Sequence, residues 1–163
     1  MVRIDVARTI SFTQDSDAEK YFINGKLFDH DRIDIRVPLG STEEWTIRND
    51  TDDFHEFHIH QVHFQVVAVN GRPVDFEGYR DVVRVPERGS VTLRMAFTDR
   101  RILGTFVYHC HVLKHEDRGM MGNIEVYDPV AQPQKAFLPE IFLRLRHAFT
   151  GEQFNLPYSY CGL

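Results

Sequence analysis

Six of the nine histidines fall in two short segments. The first reads Phe54-His55-Glu56-Phe57-His58-Ile59-His60, the second Tyr108-His109-Cys110-His111-Val112-Leu113-Lys114-His115, followed by Glu116-Asp117-Arg118-Gly119-Met120-Met121. Successive side chains of a strand point to opposite faces. His109 and His111 therefore share one face and Cys110 takes the other, with Phe106 and Tyr108 on the apolar, buried side. In the first segment His58 and His60 share a face and His55 has the opposite parity. Two donor sets result: His55 with Cys110, and His58 and His60 with His109 and His111.

His115 follows Cys110 by five residues and Met120 by ten, across a predicted loop ending in Gly119. One Cys, two His and a Met are the donors of a blue-copper electron-transfer site, in which thiolate and thioether favour Cu(I) and imidazole accepts Cu(II). Structural zinc prefers four strong ligands, often with paired cysteines, and Cys110 is the only cysteine within these segments. The four histidines of the other face can hold one or two metals but cannot fill a cluster of three. Cys110 is covalently flanked by His109 and His111, so an electron at the Cys110 site reaches the second face through a few bonds. A simple electron carrier has no use for that connection.

Strands must position these residues. Period-2 alternation runs through Val2, Ile4, Val6, Ile10 and Phe12, through Ile33, Ile35 and Val37, through Trp45 and Ile47, and through Val91, Leu93, Met95 and Phe97. Each pattern predicts a strand with one buried face. Further strands are expected over 58–69, 81–85, 104–111 and 122–127. Asn24-Gly25, Pro38-Leu39-Gly40, Asn49-Asp50, Asn70-Gly71 and Pro86 to Gly89 supply turns. Many short strands at this spacing predict an all-β sandwich or barrel. Residues 129–163 differ: they hold four of the seven prolines, and only Leu138 to Phe149 reads as helical. This segment is expected to pack on the domain surface, with Cys161 a free thiol. The 163 residues suit one domain. With a net charge of −5 and no Lys/Arg run beyond two, the chain predicts no nucleic-acid or anionic-membrane surface. No apolar stretch approaches the roughly 20 residues of a membrane span. The N-terminus has no apolar signal-peptide segment, so no signal peptide is expected.

HEFHIHQ and YHCHVLKHEDRGMM resemble the two copper-binding motifs in the last cupredoxin domain of multicopper oxidases of the laccase type, over roughly residues 1–127. The resemblance implies a cupredoxin-like Greek-key β-sandwich or barrel over 1–128, with a short, partly helical extension over 129–163. It implies copper as cofactor, with His55, Cys110, His115 and axial Met120 as type 1 ligands, His58 for the type 2 copper, and His60, His109 and His111 for the type 3 pair. Glu116 would relay protons to the oxygen site. The implied activity oxidises a phenol, aromatic amine or metal ion and reduces O2 to water. The four-Met composition, without a Met-rich segment, does not indicate a cuprous-ion substrate.

Two features depart from the family pattern. Gln61 stands where a Gly is common, which should alter the local turn without removing a ligand. His63 is expected to serve in packing or behind the ligands. The acidic stretch Asp50, Asp52, Asp53 and Glu56 is expected to be a solvated loop rather than a rim for cationic substrates. A larger departure is that such a cluster takes eight histidines and this chain offers four, with only His30, His63 and His147 besides. The others must come from another cupredoxin domain or subunit, a second copy of this chain included. The expectation is that this is the last domain of a longer oxidase, cut out or encoded separately. A stand-alone type 1 electron-transfer module is the alternative; a copper nitrite reductase is weaker, since one His beside the Cys suffices there. The family places the protein in the periplasm or outside the cell.

Overall fold

The computed structural model describes residues 2–131. The expected helix at Leu138 to Phe149, Cys161 and His147 lie outside the described residues. Eleven strands follow in chain order: β1 (Val6–Asp15), β2 (Lys20–Ile23), β3 (Ile35–Pro38), β4 (Thr42–Asn49), β5 (His55–Ile59), β6 (Phe64–Val69), β7 (Arg72–Pro73), β8 (Val82–Val85), β9 (Ser90–Ala96), β10 (Gly104–Cys110) and β11 (Met121–Tyr127). One short helix, α1 (Leu113–Asp117), separates the last two.

They form two curled sheets, in the orders β2-β1-β4-β9-β6-β7 and β3-β11-β10-β5-β8. Most neighbours are antiparallel, but β1 pairs with β4 and β3 with β11 in parallel. This is the cupredoxin-like β-sandwich the sequence implies. The alternating apolar residues of both sheets meet between them. Trp45 of β4 packs edge-on to Tyr108 of β10 at 5.8 Å, and Phe57 of β5 lies 5.9 Å from Phe64 of β6, ring centre to ring centre. All four side chains are fully buried.

Several elements differ from the sequence expectation. The N-terminal strand begins at Val6 and not at Val2, which is exposed, and β3 begins at Ile35, leaving Ile33 outside it. The expected strand 58–69 is two strands in different sheets, β5 and β6. Gln61 turns the chain between them with a left-handed φ of 63°. The expected loop between Cys110 and Gly119 contains α1. β2 and β7 carried no sequence signal.

A charge also sits on the buried face of β4. Glu43 is fully buried, receives both Arg8 Nε at 2.6 Å and Arg8 Nη2 at 2.9 Å, and accepts the Trp45 indole N–H at 2.7 Å. Arg8 lies on neighbouring β1, so the pair fixes the parallel β1–β4 register. Removing one partner of a buried pair strands the other charge away from water. Arg8→Met is therefore expected to cost about 3 kcal/mol, read from the urea midpoint. A change below about 0.5 kcal/mol would contradict that role.

Candidate metal centres

β5 and β10 are antiparallel neighbours, with His109 opposite His58 and Cys110 opposite Phe57. The register builds both donor sets. Opposed side chains share a face, as do residues two apart on one strand. His58, His60, His109 and His111 thus converge on one side, and Cys110 and His55 on the other. Beyond Cys110, α1 folds back and returns His115 to the thiol.

The core-side set is compact. His55 Nδ1 lies 3.6 Å from Cys110 Sγ, His115 Nδ1 lies 3.5 Å from it, and the two nitrogens are 3.0 Å apart. All three residues are buried. Burial raises the Cys110 thiol above its ordinary value, while backbone N–H groups of Glu56 and Val112 bond to the sulfur and pull the other way. Burial holds His115 below the ordinary imidazole value, and burial with the neighbouring His115 lowers His55 to about 4. Two neutral imidazoles and a thiol aimed at one point fit a soft divalent or monovalent metal and would expel the thiol proton on binding it.

The backbone ties this set together. Cys110 N–H donates to the Met120 carbonyl and Met120 N–H to the His115 carbonyl, each at 3.0 Å. Met120 is fully buried between those links. Gly119 makes the turn with φ 107°, and a Cβ there would meet Leu27 Cδ2 at 2.6 Å.

The second set is more open. Nitrogens of His58, His60 and His109 lie within 4.8 Å of one another, and His60 Nε2 is 3.3 Å from His109 Nε2. His58 donates Nδ1–H to the Asp81 carbonyl at 2.8 Å, and His109 donates Nδ1–H to the Cys110 carbonyl at 3.0 Å. Both bonds leave Nε2 as the lone-pair donor. Glu116 Oε2 lies 3.3 Å from His109 Nδ1. His111 stands at the edge, its ring 5.3 Å from that of His58. His63 is exposed, which excludes packing, one of the two roles expected for it. The acidic stretch is largely engaged: Asp50 pairs with Arg48, Asp52 with Arg88, and Asp53 accepts from Gln14.

Sequence reasoning missed three residues beside the core-side set. Tyr21 of β2 stacks on His115 at 4.1 Å, leaving that histidine only 7% exposed. Thr51 Oγ1 lies 2.9 Å from His55 Nε2, and Asn49 holds Thr51. No spacing rule connects these positions to the histidines; only the packed sheets do.

The low value of His55 sets a pH dependence for the metal-free chain. Below pH 6.5 the unfolded imidazole takes up a proton while folded His55 stays neutral to about pH 4. The unfolded state binds more protons, so stability is complete above about pH 6.5 and falls toward pH 4, by at most about 1.4 kcal/mol per pH unit for this group. Melting curves of the metal-free chain should show Tm falling between pH 6.5 and pH 5, with a shallower fall in His55→Gln. An equal slope in both would contradict this.

The sequence profile of the multicopper oxidase family matches residues 3–130, which takes in both donor sets. The chain belongs to the multicopper oxidase family. "Multicopper oxidase mco" of Staphylococcus haemolyticus is 40% identical over 110 residues, 64% of this chain and 24% of that relative. A crystal structure of laccase from Pediococcus acidilactici superposes with a TM-score of 0.70 at 36% identity, covering 78% of this chain and 28% of that one. "Cell division protein FtsP" of Escherichia coli is 37% identical over 108 residues, 64% of this chain and 22% of that relative. This multicopper oxidase domain thus spans about a quarter of the length of the curated relatives it matches. Copper is the cofactor the family implies, and the buried His, Cys, His donors fit it. A relative named for cell division makes the donors of this chain, not likeness alone, the ground for assigning an activity.

Proposed function

We propose that this domain serves a multicopper oxidase that oxidises a phenol, aromatic amine or metal ion and reduces O2 to water. His55, Cys110 and His115, with Met120 as axial ligand, would hold the type 1 copper. His58 would serve the type 2 copper, and His60, His109 and His111 the type 3 pair. The copper-binding domain would be residues 1–128, with 129–163 as an extension. Copper in these sites would supply one-electron redox chemistry and the four-electron reduction of O2.

One observation carries the reading. The two donor sets lie on opposite faces of β10 and are joined through Cys110, which is covalently flanked by His109 and His111 and whose own carbonyl also accepts the His109 Nδ1 proton. The residues themselves have distinct tasks. Burial around Cys110 excludes water from the thiolate, and the packed sheets hold His55 against it. Tyr21 covers His115, so an electron donor would approach over that ring rather than touch the imidazole. Reducing O2 to water consumes protons, and Glu116, partly exposed on α1 and 3.3 Å from His109 Nδ1, would carry them in on Oε2. Four further histidines would come from another cupredoxin domain or subunit, or a second copy of this chain. No helix among the described residues is long and apolar enough to cross a membrane; action in the periplasm or outside the cell rests on the family resemblance.

Particle mass, copper per chain and oxygen uptake with a phenolic dye, measured together, test the proposal. Dye oxidation should consume O2 only in assemblies where a complementary histidine-bearing domain or copy is bound. A strongly blue protein with no oxygen uptake in any such assembly would point to the electron-transfer module instead.

A further inference from the structure

We propose that Asn49 and Thr51 are positioning residues that set which nitrogen of His55 faces the Cys110 site. The inference rests on the proposed role of His55 as a copper ligand. Its direct evidence is a buried chain of hydrogen bonds whose far end, at Asn49, has a fixed direction.

Asn49 closes β4 on the buried face, and its amide can be oriented in only one way. Its Nδ2 faces the carbonyls of Asp53 at 2.8 Å and Pro86 at 3.0 Å, with the Val85 carbonyl at 3.4 Å. Carbonyls only accept, so this atom must be the NH2. The Asn49 Oδ1 then receives the Thr51 N–H at 2.9 Å, which can only donate. The Thr51 hydroxyl has two acceptors in reach, Asn49 Oδ1 at 2.8 Å and the Asp53 carbonyl at 3.0 Å. Giving its single proton to His55 Nε2, 2.9 Å away, would leave both of these oxygen–oxygen contacts without a proton; giving it to Asn49 Oδ1 leaves only one so. In that arrangement Thr51 offers His55 a lone pair, and His55 carries its proton on Nε2 and turns a bare Nδ1 toward Cys110.

Asn49, Thr51 and His55 are 1%, 4% and 0% exposed, so water does not compete for these bonds. Three backbone carbonyls anchor the far end and fix the orientation of the Asn49 amide. A partner behind a ligating imidazole fixes both tautomer and ring orientation, and its loss costs about tenfold to a hundredfold in metal affinity.

The same logic makes the two histidines unequal. His55 Nδ1 lacks a proton, so its 3.0 Å bond with His115 Nδ1 requires His115 to donate. In the metal-free chain His115 carries its proton on the nitrogen that faces Cys110, and must move it to bind metal. His55 is already set.

Nitrogen-15 NMR of the metal-free chain reads each tautomer directly. The wild type should show His55 protonated at Nε2 and His115 at Nδ1. Thr51→Val, nearly the same shape, removes the acceptor and should leave His55 a mixture of tautomers, with copper(II) affinity about tenfold weaker. Thr51→Ser restores the hydroxyl and should restore both. The relay is overturned if wild-type His55 is protonated at Nδ1, or if Thr51→Val keeps the wild-type tautomer. It is also overturned if Thr51→Val matches wild-type affinity within about threefold. A wild-type chain that shows the expected tautomers yet never turns blue with copper would sink the copper reading and leave the relay standing.

Discussion

Cys110→Ser is expected to abolish the blue colour of the copper-loaded protein and to weaken copper binding by more than about a hundredfold. That is beyond what losing a supporting hydrogen-bond partner costs. Cys110 is the one sulfur nucleophile at the centre of the buried set, 3.5 and 3.6 Å from the two imidazole nitrogens. Blue absorption of a copper–cysteine site comes from charge transfer out of the thiolate, which a serine hydroxyl cannot replace: it is hard and does not ionise in this buried position. Serine is close to cysteine in size, so the fold should survive, and a similar melting curve for both metal-free chains separates ligand loss from unfolding. A Cys110→Ser protein that remains blue would refute the ligand set.

The second large effect concerns the opposite face. His60→Ala should leave the Cys110-based colour intact and reduce oxygen uptake of the assembled oxidase to background. His60 lies just past the end of β5, exposed, with its Nε2 3.3 Å from His109 Nε2. Because it is exposed, its truncation should change stability by no more than about 0.5 kcal/mol. His109 is less suitable, being buried and bonded to the Cys110 carbonyl, so its loss would disturb both faces. Oxygen uptake retained in His60→Ala would show that this face is not the oxygen site.

Strand parity made much of this arrangement readable in advance. Burial alternates strictly over His55–Ile59, and the antiparallel register with β10 carries the same faces across to Tyr108, His109 and Cys110. Parity failed at Gln61 for a physical reason. Phe57 and Ile59 are buried and so are Val62 and Phe64, so the apolar alternation resumes one residue out of phase across a turn that carries the chain into the other sheet. The short helix α1 was invisible because five residues cannot display an amphipathic period, and Leu113 within it is exposed. The pairing of Glu43 carried no sequence signal because its partner, Arg8, lies 35 residues away on another strand. Thr51 and Asn49 carried no metal-ligand signature, since their part is played through hydrogen bonds that exist only once β4 and β5 are packed.

Titration of copper(II) into the purified metal-free chain, followed by visible absorption, tests the central claim most directly. An intense blue band should grow in proportion to added copper and stop at one equivalent per chain, while the Cys110 thiol becomes unreactive to alkylation. Copper that binds only the exposed histidines, leaving the protein nearly colourless and Cys110 as reactive as in the metal-free chain, would contradict the account.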